Sequence, residues 1–167
     1  MSCDADGHLA FWNLSVDAPV LNFRAHAQQV TCIAFNPGAS VLATASKDAL
    51  IKVWTGTSEK PLYELQGHAQ AVNALSWSHT GPGTDNPEQP QWLASVGSDQ
   101  CLKVWKVNTC IQTLREHDDA VISVAFDPRN RHLAAGDFGG LVVVWGLPGF
   151  ELKHKWRSQG GSPIYCL

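Results

Sequence analysis

His26, Thr44 and Asp48 are the residue types of a general base, a nucleophile and the acid that orients the base. The same types return as His68, Ser95 and Asp99. A hydrolytic triad is built once per active site, so a constellation that recurs along the chain reads as a device of the fold. No Gly-x-Ser-x-Gly elbow, phosphate-binding glycine loop or His-Glu-x-x-His accompanies it. His8, His79, His132 and His154 lack metal-ligand spacing, and Cys3, Cys32, Cys101, Cys110 and Cys166 include no Cys-x-x-Cys pair. The expectation is no catalytic residue, no metal and no cofactor.

What must position these residues is a repeat. Trp12, Trp54, Trp105 and Trp145 are separated by 42, 51 and 40 residues. Asp6, Asp48 and Asp99 each stand six residues before a tryptophan, where the last unit has Gly139. Ser2, Thr44, Ser95 and Ala135 stand ten before. His26, His68 and His117 each precede a valine by four. A period near forty predicts about four short strands per unit.

The strand signals agree with it. Val30–Asn36 is apolar on both faces, as a strand buried between packed sheets must be, and Pro37-Gly38 ends it. Val41–Ser46, Leu50–Trp54 and Pro61–Gln66 follow. No segment has a helical period, so the chain is expected to be all-β. The units run over 1–24 (the tail of one), 26–66, 68–116 and 117–157, with 162–167 starting another. Residues 79–90, rich in Gly and Pro, read as a loop inserted into the second full unit.

The 167 residues are 44% apolar and carry a net charge of −3, with lysines and arginines scattered singly. That gives no electrostatic footprint for nucleic acid or an anionic membrane. There is no stretch of spanning length and no signal-peptide plan at the N-terminus. Sparse, odd-numbered cysteines suit reduced thiols inside the cell: cytoplasm, cytoskeleton or nucleus.

A His, an apolar strand, then an Asp turn six residues before Trp resembles the WD-repeat family over nearly the whole chain. The resemblance implies a β-propeller fragment of about three complete four-stranded blades, with partial blades at both ends. It also implies a hydrogen-bonded network within each blade, carried here by His26, Thr44, Asp48 and Trp54, and by His68, Ser95, Asp99 and Trp105. Such a network holds only if every member is satisfied. The blade with His117 and Trp145 has Ala135 and Gly139 where the hydroxyl and carboxylate belong, and is expected to be the weakest. Propellers close with four to eight blades. Ring closure would therefore fall to the rest of a longer chain, as ends lying mid-blade suggest, or to another chain or copy; otherwise the arc would fold poorly alone.

The resemblance further implies a rigid, non-catalytic scaffold that binds other proteins or peptides on the narrow face. The residues there are Lys47, Ser98 and Phe138 before the Asp position, and Gln70, Asp118 and Asp119 after the His. Phe138 is either an exposed anchor or a plug for the space left by the absent Asp. Asp118 and Asp119 suit a basic peptide. A propeller subunit of a ribonucleoprotein is the alternative, against which the acidic balance counts. A ubiquitin-ligase substrate receptor is less supported, because the four tryptophans are followed by Asn13, Thr55, Lys106 and Gly146 rather than by Asp-x-Arg.

Overall fold

The computed structural model describes residues 1–13, 15, 18–56, 58–79 and 91–167. Beyond His79, the expected inserted loop lies outside the described residues. Among the described residues the architecture is four antiparallel sheets. The first holds β1 (Ser2–Cys3), β2 (His8–Trp12) and β3 (Pro19–Arg24) in chain order. The second holds β4 (Val30–Phe35), β5 (Val41–Ser46), β6 (Ile51–Thr55) and β7 (Tyr63–Leu65). The third holds β8 (Val72–Trp77), β9 (Trp92–Gly97), β10 (Leu102–Lys106) and β11 (Thr109–Leu114). The fourth holds β12 (Val121–Phe126), β13 (His132–Asp137), β14 (Leu141–Gly146) and β15 (Glu151–Arg157). Among the described residues no helix is long and apolar enough to cross a membrane.

Each sheet packs its face on the next. Leu9, Ala25, Leu42 and Trp54 are buried between the first and second sheets. Ala43, Ile51, Leu65, Val72, Leu93 and Trp105 fill the second junction. Val96, Leu102, Val104, Val121, Leu133 and Trp145 belong to the largest cluster, at the third. Both faces of the middle sheets are apolar because both are covered, which is why their strands show no simple alternation. The outermost strand, β15, has every residue exposed.

In the three four-stranded sheets, the pairing of first and second strands slips at the same place: after Val30, Val72 and Val121. A bulge leaves a residue outside the ladder and re-aims its side chain. Thr31 accordingly donates its hydroxyl to Val72 O. Asn73 Nδ2–H donates to Val121 O at 2.8 Å. Just past the third bulge, Ser123 Oγ–H donates to Ile164 O at 2.6 Å. In the first sheet Cys3 Sγ–H reaches Val30 O at 3.9 Å. One first strand is thus tied to the next by a side chain on a carbonyl.

Residues 162–167 differ from expectation, since they form no strand. They lie where a further first strand would start: Ile164 N–H donates to Asp137 O at 3.1 Å, as Val30 N–H donates to Asp4 O at 3.3 Å. A first strand draws its ladder from the second strand of its own sheet, and among the described residues none lies beside 162–167. Gly136 makes the seat, because a Cβ there would come within 2.4 Å of Ile164 Cγ2.

Candidate interaction face and its hydrogen-bonded supports

The turns between second and third strands, and the loops leading into each first strand, gather on one side of the sheets. Lys47 N–H donates to Gln29 O, Ser98 N–H to Ala71 O, and Phe138 N–H to Ala120 O, at 2.9–3.0 Å. These three bonds pin each turn to the loop beside it. At the next turn position but one, Gly7 and Gly140 have φ of +86° and +83°. A Cβ on Gly7 would meet His26 O at 2.3 Å, so glycine is required there by space as well as by conformation.

Beneath the turns lie the networks. Trp54 Nε1–H donates to Thr44 Oγ1 at 3.0 Å. Thr44 Oγ1 lies 2.8 Å from His26 Nε2, and His26 Nδ1 lies 3.0 Å from Asp48 Oδ2. The carboxylate fixes the tautomer: Nδ1–H donates to Asp48, leaving Nε2 to accept from the threonine. Asp48 also accepts the N–H groups of Ala27 and Leu50, each at 3.0 Å. In the third sheet Trp105 Nε1–H donates to Ser95 Oγ at 2.8 Å, Ser95 lies 2.8 Å from His68 Nε2, and His68 Nδ1–H donates to Asp99 at 3.0 Å. Every polar group in these two chains is hydrogen-bonded inside the fold.

The fourth sheet departs from the expectation of a missing carboxylate. Asp137, fully buried, accepts from His117 Nδ1–H at 2.9 Å and from Leu141 N–H at 2.8 Å. It stands eight residues before Trp145, not six. The first sheet has a carboxylate at the matching position, since Asp4, eight before Trp12, accepts from His8 N–H at 2.8 Å as Asp137 does from Leu141, and from Asp6 N–H at 3.0 Å. Trp12 Nε1–H donates there to Ser2 Oγ at 2.9 Å. Gly139 therefore costs the fourth sheet no carboxylate. Ala135 does cost it a hydroxyl, because His117 Nε2 is buried without a partner.

That orphan predicts a stabilising substitution. In Ala135→Ser the new hydroxyl would sit at the position of Thr44 and Ser95, opposite Val143 in the ladder as they are opposite Lys52 and Lys103. It should donate to His117 Nε2 and add about 1 kcal/mol. A urea midpoint equal to or below the parent's would count against the orphan having any cost.

Burial lowers the pKa of His26, His68 and His117 more than their carboxylates raise it. Burial pushes Asp48 and Asp99 up, but backbone N–H groups and the histidines bring both below the ordinary carboxylate value. The unfolded chain thus takes up protons on its histidines before the folded chain does, and stability falls as pH drops below about 6.5. A further loss follows below the carboxylate range, as Asp48 and Asp99 are protonated. Urea midpoints at pH 7.5 and 5.5 check the first step; equal midpoints would contradict it.

The residues proposed for partner contact fall into two groups. Lys47 and Gln70 are exposed on the side of the second and third sheets. Ser98, Asp118, Asp119 and Phe138 cluster where the third and fourth sheets meet. Ser98 Oγ accepts from Asn73 Nδ2–H at 3.2 Å, and Gln100 Nε2–H donates to Asp118 O at 3.0 Å. Asp118 is paired with Arg157 at 2.8 Å. Phe138 is 51% exposed, so it does not plug the turn; Asp137 occupies that role. Its ring meets Tyr165 edge to face, centroids 6.5 Å apart. Gln100, Arg157 and Tyr165 join the face without a local sequence signal, whereas Asp137 could have been found from its match to Asp4.

Known proteins show the same repeat. The family model described as "WD domain, G-beta repeat" matches residues 17–55, 59–106 and 108–146. The WD40 repeat-containing protein HOS15 of Arabidopsis thaliana is 28% identical over 89% of this chain and 24% of its own length. Nuclear distribution protein nudF of Aspergillus flavus is 30% identical over 74% of this chain and 26% of its own. WD repeat-containing protein srw1 of Schizosaccharomyces pombe is 26% identical over 95% and 36%. The chain thus spans between about a quarter and just over a third of the length of these curated relatives. Three matched repeats covering most of its residues, on four sheets built to one plan, make the chain a member of the WD-repeat family.

Proposed function

We propose that the chain is a non-catalytic protein-interaction scaffold whose partner surface is the turn-and-loop face, centred on Phe138. The observation that carries this reading is the division of labour on that face. The histidine, hydroxyl and carboxylate groups are spent internally, while a large aromatic side chain is held out in solvent on a pinned turn. Exposed aromatics on rigid supports are where binding energy concentrates. Membership of the WD-repeat family supports the scaffold role in general terms. The five cysteines are all free thiols, which suits a reducing, intracellular setting.

The ribonucleoprotein alternative is not favoured. The alternating basic residues of β15 are already paired: Lys153 with Glu151, Lys155 with Glu116 and Arg157 with Asp118. Its charge is already compensated within the chain, so little remains for phosphates.

Affinity capture followed by mass spectrometry tests the proposal, comparing the parent with Phe138→Ala and Lys47→Ala. Captured proteins should be lost from at least one variant while far-UV circular dichroism and the thermal midpoint stay unchanged. If every captured protein is retained by both variants, the face is not the partner surface.

A further inference from the structure

The meeting of the third and fourth sheets carries more than one exposed aromatic. Phe138 and Tyr165 are 51% and 73% exposed, and their ring planes stand at 89° to each other. Two rings at a right angle form two walls of a corner open to water. The corner is held from below. Phe138 is fixed by its N–H bond to Ala120 O, and Tyr165 follows Ile164, whose N–H and C=O are both bonded to the fourth sheet.

Beside it runs the loop after His117. Asp118 is neutralised by Arg157, but among the described residues no cation pairs with Asp119. Asp119 Oδ1 accepts the N–H of Ala120, the residue whose carbonyl anchors Phe138. Its other oxygen, Oδ2, lies 3.5 Å from where a Cβ on Gly139 would be, and so borders the Phe138 turn. The same point lies 3.0 Å from Arg157 Nη1, whose N–H donates to Gly139 O at 2.8 Å, so the Asp119 carboxylate and the Arg157 guanidinium flank the turn together. Aromatic faces attract cations through their quadrupole, and an adjacent carboxylate adds to the attraction. A guanidinium suits both, since it stacks on a ring and directs planar N–H donors at a carboxylate, which an ammonium does not do.

Resting on the scaffold reading above, we propose that the Phe138–Tyr165 corner with Asp119 binds an arginine side chain presented by a partner protein. The aromatic walls supply contact area that arrives pre-formed, so little ordering is lost on binding. Asp119 sets the sign of charge accepted.

The test uses small probes, so no partner need be known. The isotope-labelled chain is titrated with N-acetyl-arginine amide, N-acetyl-lysine amide and N-acetyl-glutamate amide at millimolar concentration, and backbone amide shifts are followed. The arginine probe should move the amides of Phe138, Gly139, Asp119 and Tyr165, the lysine probe less, and the glutamate probe not at all. Asp119→Asn should weaken the arginine response about threefold, and Phe138→Ala should abolish it, each with an otherwise unchanged spectrum. No movement at these amides, equal movement with glutamate or lysine, or a response indifferent to Asp119→Asn would overturn the proposal. If Phe138→Ala loses captured proteins yet the arginine probe gives no response, the scaffold reading stands and the arginine assignment alone fails.

Discussion

Trp105→Ala should cost about 3–5 kcal/mol, a large fraction of the roughly 5–15 kcal/mol that holds an ordinary domain folded. The indole is 2% exposed and lies in the cluster joining the second and third sheets. Its removal opens a cavity that two packed sheets can close only by moving together, and their spacing is already set by β4 and β8. The loss is also polar. Ser95 Oγ, buried, would lose the donor that Trp105 Nε1–H supplies, and the chain through His68 to Asp99 would lose its first link. Trp105→Phe separates the two contributions, since it fills most of the space but offers no N–H. It should cost less than the alanine variant. Urea titration followed by far-UV circular dichroism checks both, and an alanine variant within 1 kcal/mol of the parent, about the size of one net hydrogen bond, would show that the indole does not hold the junction.

Asp137→Ala should cost about 3 kcal/mol, from two buried donors left without an acceptor. These are His117 Nδ1–H and Leu141 N–H. His117 would then have no partner on either nitrogen, because Nε2 already has none. Asp137→Asn should be little better. Its amide N–H₂ can meet His117 only if the imidazole moves its proton to Nε2, where Ala135 offers no acceptor. Ala135→Ser supplies that acceptor, so the combination of Asp137→Asn with Ala135→Ser should lose less than the two separate effects predict. Strict additivity across the double-mutant cycle, read from urea midpoints, would contradict the linked network.

The fold was legible because its signals repeat. The spacings of Trp54, Trp105 and Trp145 mark third strands, and those of His26, His68 and His117 mark the entries to first strands. Residue pairs such as His68 and Asp99 could be matched through the family pattern although 31 positions separate them. Asp137 breaks the six-residue spacing, since Gly139 stands six before Trp145 and the carboxylate stands eight before it. The carboxylate enters from the strand end instead of from the turn, and Asp4 shows the same route. The rest of the face lay beyond sequence reasoning altogether. Tyr165 reaches Phe138 only because Ile164 drops into the space left by Gly136, and Arg157 reaches Asp118 from the end of another strand. Those meetings depend on how sheets dock, which no local period records.

The side-chain-to-carbonyl links between successive first strands give the arc an uneven stiffness. At the junctions between the second, third and fourth sheets the links are short bonds from threonine and asparagine, and many apolar side chains back them. Between the first and second sheets the side-chain link is a thiol at 3.9 Å, beside the backbone bond from Val30 N–H to Asp4 O and over a cluster of four buried residues. Of the three junctions described, the first thus has the weakest side-chain link and the smallest apolar cluster. The second, third and fourth sheets are the more firmly fastened group, and the Phe138 face rests on them.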